Sequence, residues 1–157
     1  QYTEFINFDA LLFFMKEYNA AFFGLYENTF LVLKENLGEE KALELFRQIM
    51  EKGLRKAYDA SGFERGNPQD FARVVGERDK NVGLHVEFPE VTESKIVYRF
   101  YTDPFPNLRG HVDHEKLDDT YMSFKVRYLL GENWNYKTTK HIWEGDEFTE
   151  FVITKVE

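Results

Sequence analysis

The sequence predicts an α+β domain whose N-terminal helices pack on a four-stranded antiparallel sheet, in the order helices, hairpin, helix, hairpin. Apolar residues recur at spacings of three and four through the first half of the chain, and from Val82 the period drops to two. A further helical stretch, from Asp113 or His114 to Leu130, separates two strand pairs. With 43% hydrophobic and 31% charged residues among 157, a single domain over residues 1–157 has enough material for a core.

The first expected helix runs from Phe8 to Leu37. Phe8, Leu11, Leu12, Met15, Tyr18, Phe22, Leu25, Thr29 and Val32 mark one face, and Leu37-Gly38 supplies the stop. Gly24 is the position at which it would bend or divide. Phe13, Phe14, Phe23, Phe30 and Leu31 lie off that face, so the helix is either central to the core or the contact of a homodimer.

Glu39 to Ala60 reads as a second helix with Ala42, Leu45, Phe46, Ile49, Gly53, Leu54, Ala57 and Tyr58 inward and Gly62 at its end. Glu39 and Glu40 in its first turn suit the helix dipole. A third helix begins at Asn67-Pro68, an N-cap followed by proline at the first helical position, and turns Phe71, Val74 and Val75 inward. Strands follow at Val82 to Val91 and Lys95 to Thr102, joined through Thr92-Glu93-Ser94. The second of them is apolar on both faces and therefore interior to its sheet. The fourth helix carries Leu117, Tyr121, Phe124 and Tyr128, and Gly131 terminates it. Trp134 to Trp143 and Glu147 to Val156 form the last hairpin around Glu144-Gly145-Asp146.

Composition excludes several function classes. The net charge is −8 with no basic run, so the chain lacks what displaces counterions from nucleic acid. Asp9, Lys16, Glu17 and Glu27 interrupt the apolar N-terminal region, and no uncharged window reaches the ~18 residues of a membrane span. The N-terminal apolar region lacks the basic residues that open a signal peptide, so it is not expected to be one. The absence of cysteine excludes thiolate nucleophiles and cysteine-based metal sites, and suits a cytoplasmic location. Aromatic residues reach 17%, with 16 Phe, 9 Tyr and 2 Trp, which favours an apolar ligand pocket as well as a large core.

Four short stretches fit one family template: Leu37-Gly-Glu-Glu-Lys-Ala42, Val91-Thr-Glu-Ser-Lys-Ile-Val-Tyr-Arg-Phe100, Thr102-Asp-Pro-Phe105 and Glu144-Gly-Asp-Glu-Phe-Thr-Glu-Phe151. On these the chain resembles the L-2-amino-thiazoline-4-carboxylic acid hydrolase-like family. More distantly it resembles 4-vinyl reductase domains, which look akin in fold to haem nitric-oxide-binding domains. The family corner reads Thr-Cys-Pro, and its closing Gly-Asp motif is followed by a second cysteine. Here Asp103 holds the first position and Thr149 or its neighbour the second. The resemblance therefore implies the fold, and no thiol-dependent hydrolysis.

Polar chemistry concentrates between Lys95 and His114. His111-Val112-Asp113-His114 places two imidazoles three positions apart, shortly after Asp103. Asp103, His111 and His114 would make a ligand set for zinc or ferrous iron, while a solvated loop is the alternative. Asp103 would serve as general base or ligand, or simply cap the turn before Pro104. Arg109 would clamp a ligand carboxylate, or pair with a surface acid. Tyr101, Tyr121, Tyr128, Trp134, Tyr136 and Trp143 would line a pocket between sheet and fourth helix, or fill an aromatic core. His141, alternating with Ile142, reads as a satisfied sheet histidine, and the Glu144-Gly-Asp-Glu tip as a turn. Phosphate loop, serine elbow and HExxH patterns do not occur. The leading expectation is a small-molecule-binding domain with an aromatic pocket. The alternatives are a metal-assisted hydrolase and a structural dimerisation module.

Overall fold

The computed structural model describes residues 16–157. Four helices, α1 (Ala20–Leu37), α2 (Glu39–Ser61), α3 (Pro68–Asn81) and α4 (His114–Leu129), pack with four strands, β1 (Val86–Val91), β2 (Lys95–Phe100), β3 (Trp134–Lys140) and β4 (Thr149–Lys155). The sheet is antiparallel throughout, in the order β1-β2-β4-β3. The expected α+β architecture, N-terminal helices on a four-stranded antiparallel sheet, is thus the observed one. α1 lies along α2, α2 along α4, α3 against β1 and α4 on β3.

α1 is shorter than the periodicity suggests. Residues 8–15 of the expected helix lie outside the described residues, and Lys16 to Asn19 are not helical. Asn19 caps the helix with its side-chain oxygen on the Phe22 amide, and its own amide donates to the Val82 carbonyl. This ties the strap Lys16–Asn19 to the turn after α3. Gly83 makes the approach possible: at φ 79°, a Cβ there would lie 1.8 Å from the Glu17 carbonyl oxygen. Gly24 does not divide the helix, which runs through it as one element.

The face of α1 that enters the core is also different. Phe23, Glu27 and Phe30 are buried, whereas Leu25 and Val32 are 69% and 57% exposed. The inward stripe escaped the apolar count because a carboxylate, Glu27, occupies its middle. Gly38, with φ 84°, serves both as the end of α1 and the start of α2, so the two helices reverse through a single residue. α2 then buries Ala42, Phe46, Met50, Leu54 and Tyr58, while Ile49 faces out.

β2 is interior to the sheet, with Ile96, Tyr98 and Phe100 turned toward the helices. β1 begins later than expected, at Val86, because Val82 to Leu84 form the turn that receives the strap. It is an edge strand, and its register shifts between Glu87 and Glu90, where Pro89 cannot donate a ladder hydrogen bond. β3 ends at Lys140, since His141 caps a short 3-10 turn over Ile142–Glu144. The inner surface is aromatic: Phe105 meets Phe23, Phe46 and Tyr121, and Tyr98 meets Phe71, Phe88 and Phe151.

Candidate functional site

The chain between β2 and α4 is held by side chains from three elements. Asp103 accepts the Phe105 amide at 2.9 Å through one oxygen and the Trp143 indole N–H at 2.6 Å through the other. Its carboxylate therefore closes the turn and anchors the β3–β4 connection. Glu27 of α1 accepts the Asn107 amide at 2.6 Å and the Asn107 side chain at 3.1 Å, and so fixes the 3-10 turn Pro106–Leu108. Tyr18 of the strap donates to the Pro104 carbonyl at 2.9 Å. Burial, with the Glu27 and Asp103 carboxylates nearby, pushes its pKa up to about 12. Arg109 donates to the Trp143 carbonyl at 3.0 Å, and His111 is exposed.

His114 starts α4 after the Asp113 cap, and it meets partners other than Asp103 and His111. Its ring stacks on that of His141 at 3.9 Å and 18°. His141 Nε2 lies 3.1 Å from Asp118, which stands one turn along α4. His114, Asp118 and His141 each offer a ligand atom, all within 4.8 Å of one another. Asp118 also accepts the Tyr121 hydroxyl at 2.8 Å. His114 has one ring nitrogen on Glu144 at 2.9 Å, while its buried Nδ1 has no partner among the described residues. The set suits a metal in part. An imidazole with one nitrogen on a carboxylate and the other free is the usual posture of a ligating histidine. His141 is different: its Nδ1 accepts the Trp143 amide at 3.0 Å, so its proton sits on Nε2 and is donated to Asp118. Ligation through Nε2 would require that proton to move and the Trp143 bond to break.

A second buried cluster lies nearer the domain centre. Asp79 of α3 accepts the Tyr98 hydroxyl, and Lys125 of α4 donates to that same oxygen at 3.1 Å. Lys125 Nζ stands 3.8 Å from Asp79, an ion pair without a hydrogen bond. Burial lowers the Lys125 pKa and raises those of Tyr98 and Tyr58; Asp79 adds to the tyrosine shifts and opposes that of lysine. The Tyr58 hydroxyl, fully enclosed, has no partner among the described residues.

Between this cluster and α1 lies a cavity of ≈ 30 Å³. Its walls come from α1 (Phe22, Phe23, Tyr26), α2 (Met50, Leu54), the corner (Phe105), and the polar trio Arg78, Asp79 and Lys125. Tyr121 belongs to its wall and also to that of a smaller cavity of ≈ 10 Å³, which Asp103, Asp118, His141 and Trp143 border. One tyrosine thus stands between the two polar clusters.

Of the aromatic residues singled out from sequence, Tyr121 and Trp143 border these cavities. Tyr101 stacks on His85 at 4.9 Å and packs against Phe148. Tyr128 bonds Asp59 and borders an open groove beside Arg55, while Trp134 is 3% exposed within the core. Asp79, Asp118, Lys125 and His141 were not among the expected site residues. Their signal was present as charge at core-facing spacing: Val75 to Asp79, His114 to Asp118, and Tyr121 to Lys125 each step by four.

No protein-family model matches the chain, and no curated protein matches it. In fold it is similar to a solved structure, the phenol-responsive sensory domain of the transcription activator PoxR with phenol. The TM-score is 0.60 at 13% identity, over 88% of this chain and 74% of that one. At this identity the likeness is one of fold. No helix among the described residues is long and apolar enough to cross a membrane.

Proposed function

We propose that this chain is a small-molecule-binding domain of sensory type, taking a one-ring ligand in the cavity between α1, α2, α3, α4 and β2. The observation that carries this reading is the cavity itself, lined largely by aromatic rings and faced by a buried ammonium. The fold likeness to a phenol-responsive domain supports it, as does the lack of any cysteine for thiol catalysis. The cavity is smaller than the ~150 Å³ that accepts benzene. Phe22 and Tyr26, both only half-buried, are aromatic wall residues with room to yield. Thermal melts with a panel of one-ring aromatic compounds test the reading. Binding should raise the melting temperature of the wild type and leave Leu54→Phe, which fills the cavity, unmoved. A panel without effect on the wild type would overturn it. A homodimer through the exposed Leu25 and Val32 face of α1 belongs to this reading, and a molar mass of one subunit at micromolar concentration would remove it.

The second reading, a metal-assisted hydrolase of the aminothiazoline carboxylate hydrolase-like family, is favoured by the His114, Asp118 and His141 set. Zinc or ferrous iron held there would supply an activated water. The chain's own part would be to orient the ligands: Glu144 on His114 and Tyr121 on Asp118. Elemental analysis of protein purified without an affinity tag tests this, since a stoichiometric metal is required.

A further inference from the structure

Resting on the reading that the cavity is a ligand site, we infer that its ligand is a small planar ring bearing one oxyanion, held by Lys125 from inside with Arg78 at the mouth. The charges on the wall point this way. Two cations and one carboxylate face the cavity, and the carboxylate is already committed, since Asp79 takes the Tyr98 hydroxyl and faces Lys125. Among the described residues Arg78 has no carboxylate within ion-pair distance; its guanidinium lies 5.3 Å from the Phe22 ring centroid.

Lys125 has hydrogen-bonding capacity to spare. An ammonium carries three donors, and one is used on Tyr98 at 3.1 Å. Asp79 at 3.8 Å compensates its charge and leaves the other N–H groups without a close acceptor among the described residues. The group is 3% exposed, so water is not a ready substitute. A purely apolar ring would seal those donors unpaired, which is the penalty by which a polar site rejects a ligand that lacks the matching group. A ring with an oxyanion satisfies them and neutralises the excess charge. The direction of the lysine shift agrees: burial disfavours its charged form and Asp79 only offsets this, so a further anion is welcome.

Planarity follows from the walls. Phe100 and Tyr121 hold the ammonium 5.4 and 5.3 Å from their centroids and also border the cavity. The space next to Nζ is therefore a slot between aromatic groups, and small enough that a single ring is the ceiling.

Calorimetric titration with toluene, benzoate and ionised 4-nitrophenol tests the inference. Benzoate or 4-nitrophenolate should bind the wild type roughly 10- to 100-fold more tightly than toluene; whichever of the two is preferred identifies carboxylate or phenolate. In Asp79→Asn/Lys125→Met, which removes both charges together, that preference should shrink to the severalfold share that Arg78 supplies while toluene still binds. Arg78→Gln, at a half-buried position, should weaken only the oxyanions, by severalfold, and it decides the matter should the double variant fail to fold. Toluene binding as tightly as both oxyanions to the wild type would overturn the inference and leave the cavity reading intact. Failure of all three to bind would take both down.

Discussion

Two buried polar clusters share Tyr121 as a neighbour, and they are satisfied in opposite ways. In the Asp79–Tyr98–Lys125 group Asp79 takes the Tyr98 hydroxyl and balances Lys125, which keeps N–H donors without a close acceptor among the described residues and faces a cavity. In the Asp118–His141 group each donor meets an acceptor: Tyr121 and His141 donate to Asp118, and the Trp143 amide donates to His141. Only His114 Nδ1 is left over there. The first cluster sits where four helices and β2 converge, and Asp79 and Lys125 are both buried there. The second sits where α4 meets the β3–β4 connection, beside the exposed Glu144. The contrast indicates where each could do chemistry: the first by accepting a complementary anion, the second only by rearranging protons.

The largest effect that tests this contrast is expected at Asp79. Asp79→Ala leaves Lys125 buried without a counter-charge and should cost about 3–5 kcal/mol in urea unfolding. Asp79→Leu combined with Lys125→Met should recover most of that loss, because a buried pair replaced by apolar groups is near neutral. A loss under about 1 kcal/mol for Asp79→Ala would mean that the pair is solvated and the contrast false.

The other cluster is sharpened by metal. If His114 ligates through its free nitrogen and His141 exchanges its present bonds for a metal, zinc at about 100 times its dissociation constant should add about 2.7 kcal/mol of stability. His114→Ala and His141→Gln should both remove the gain, while Lys125→Met should keep it. An unchanged wild-type melt with zinc would leave the cluster as a hydrogen-bonded one.

Alkaline pH probes both clusters through their tyrosines. Burial first, and then Asp79 or Asp118, raises the Tyr98 and Tyr121 pKa values well above their ordinary value. A raised folded pKa contributes stability that is fully present below about pH 10 and is lost as pH climbs toward the folded value. Stability should therefore fall above about pH 10. Tyr98→Phe and Tyr121→Phe should each cost about 1–3 kcal/mol near neutrality and each make the alkaline slope shallower. Chemical denaturation repeated across alkaline buffers measures both. Equal slopes in wild type and variants would remove the tyrosines from the account.

The smallest expected effect sets a baseline outside both clusters. Asp113 caps α4 by accepting the Lys116 amide at 3.2 Å, and Asp113→Ala should cost about 1 kcal/mol. Ligand and zinc responses should survive in it, which separates a general weakening of α4 from damage to the clusters it carries.

What the sequence determined by itself was the order of elements and their punctuation. The Asn67-Pro68 start of α3, the Gly38 and Gly62 stops, the interior strand β2 and the Asp113 start of α4 are local effects of capping, backbone freedom and period, and neighbours in sequence suffice to express them. Tertiary structure alone decided which polar residues meet. Asp103 was legible as a turn residue, yet its second partner, Trp143, is 40 positions away. His114 was legible as half of a pair, but its neighbour proved to be His141, brought in by the β3–β4 connection, and His111 stayed exposed. Glu27, Asp79 and Lys125 sat in plain view at core-facing spacing, and a reading of apolar residues passes over charges. Burying a charge is tolerable only beside a partner, and partners drawn from different helices and strands are fixed by packing, which no local pattern records.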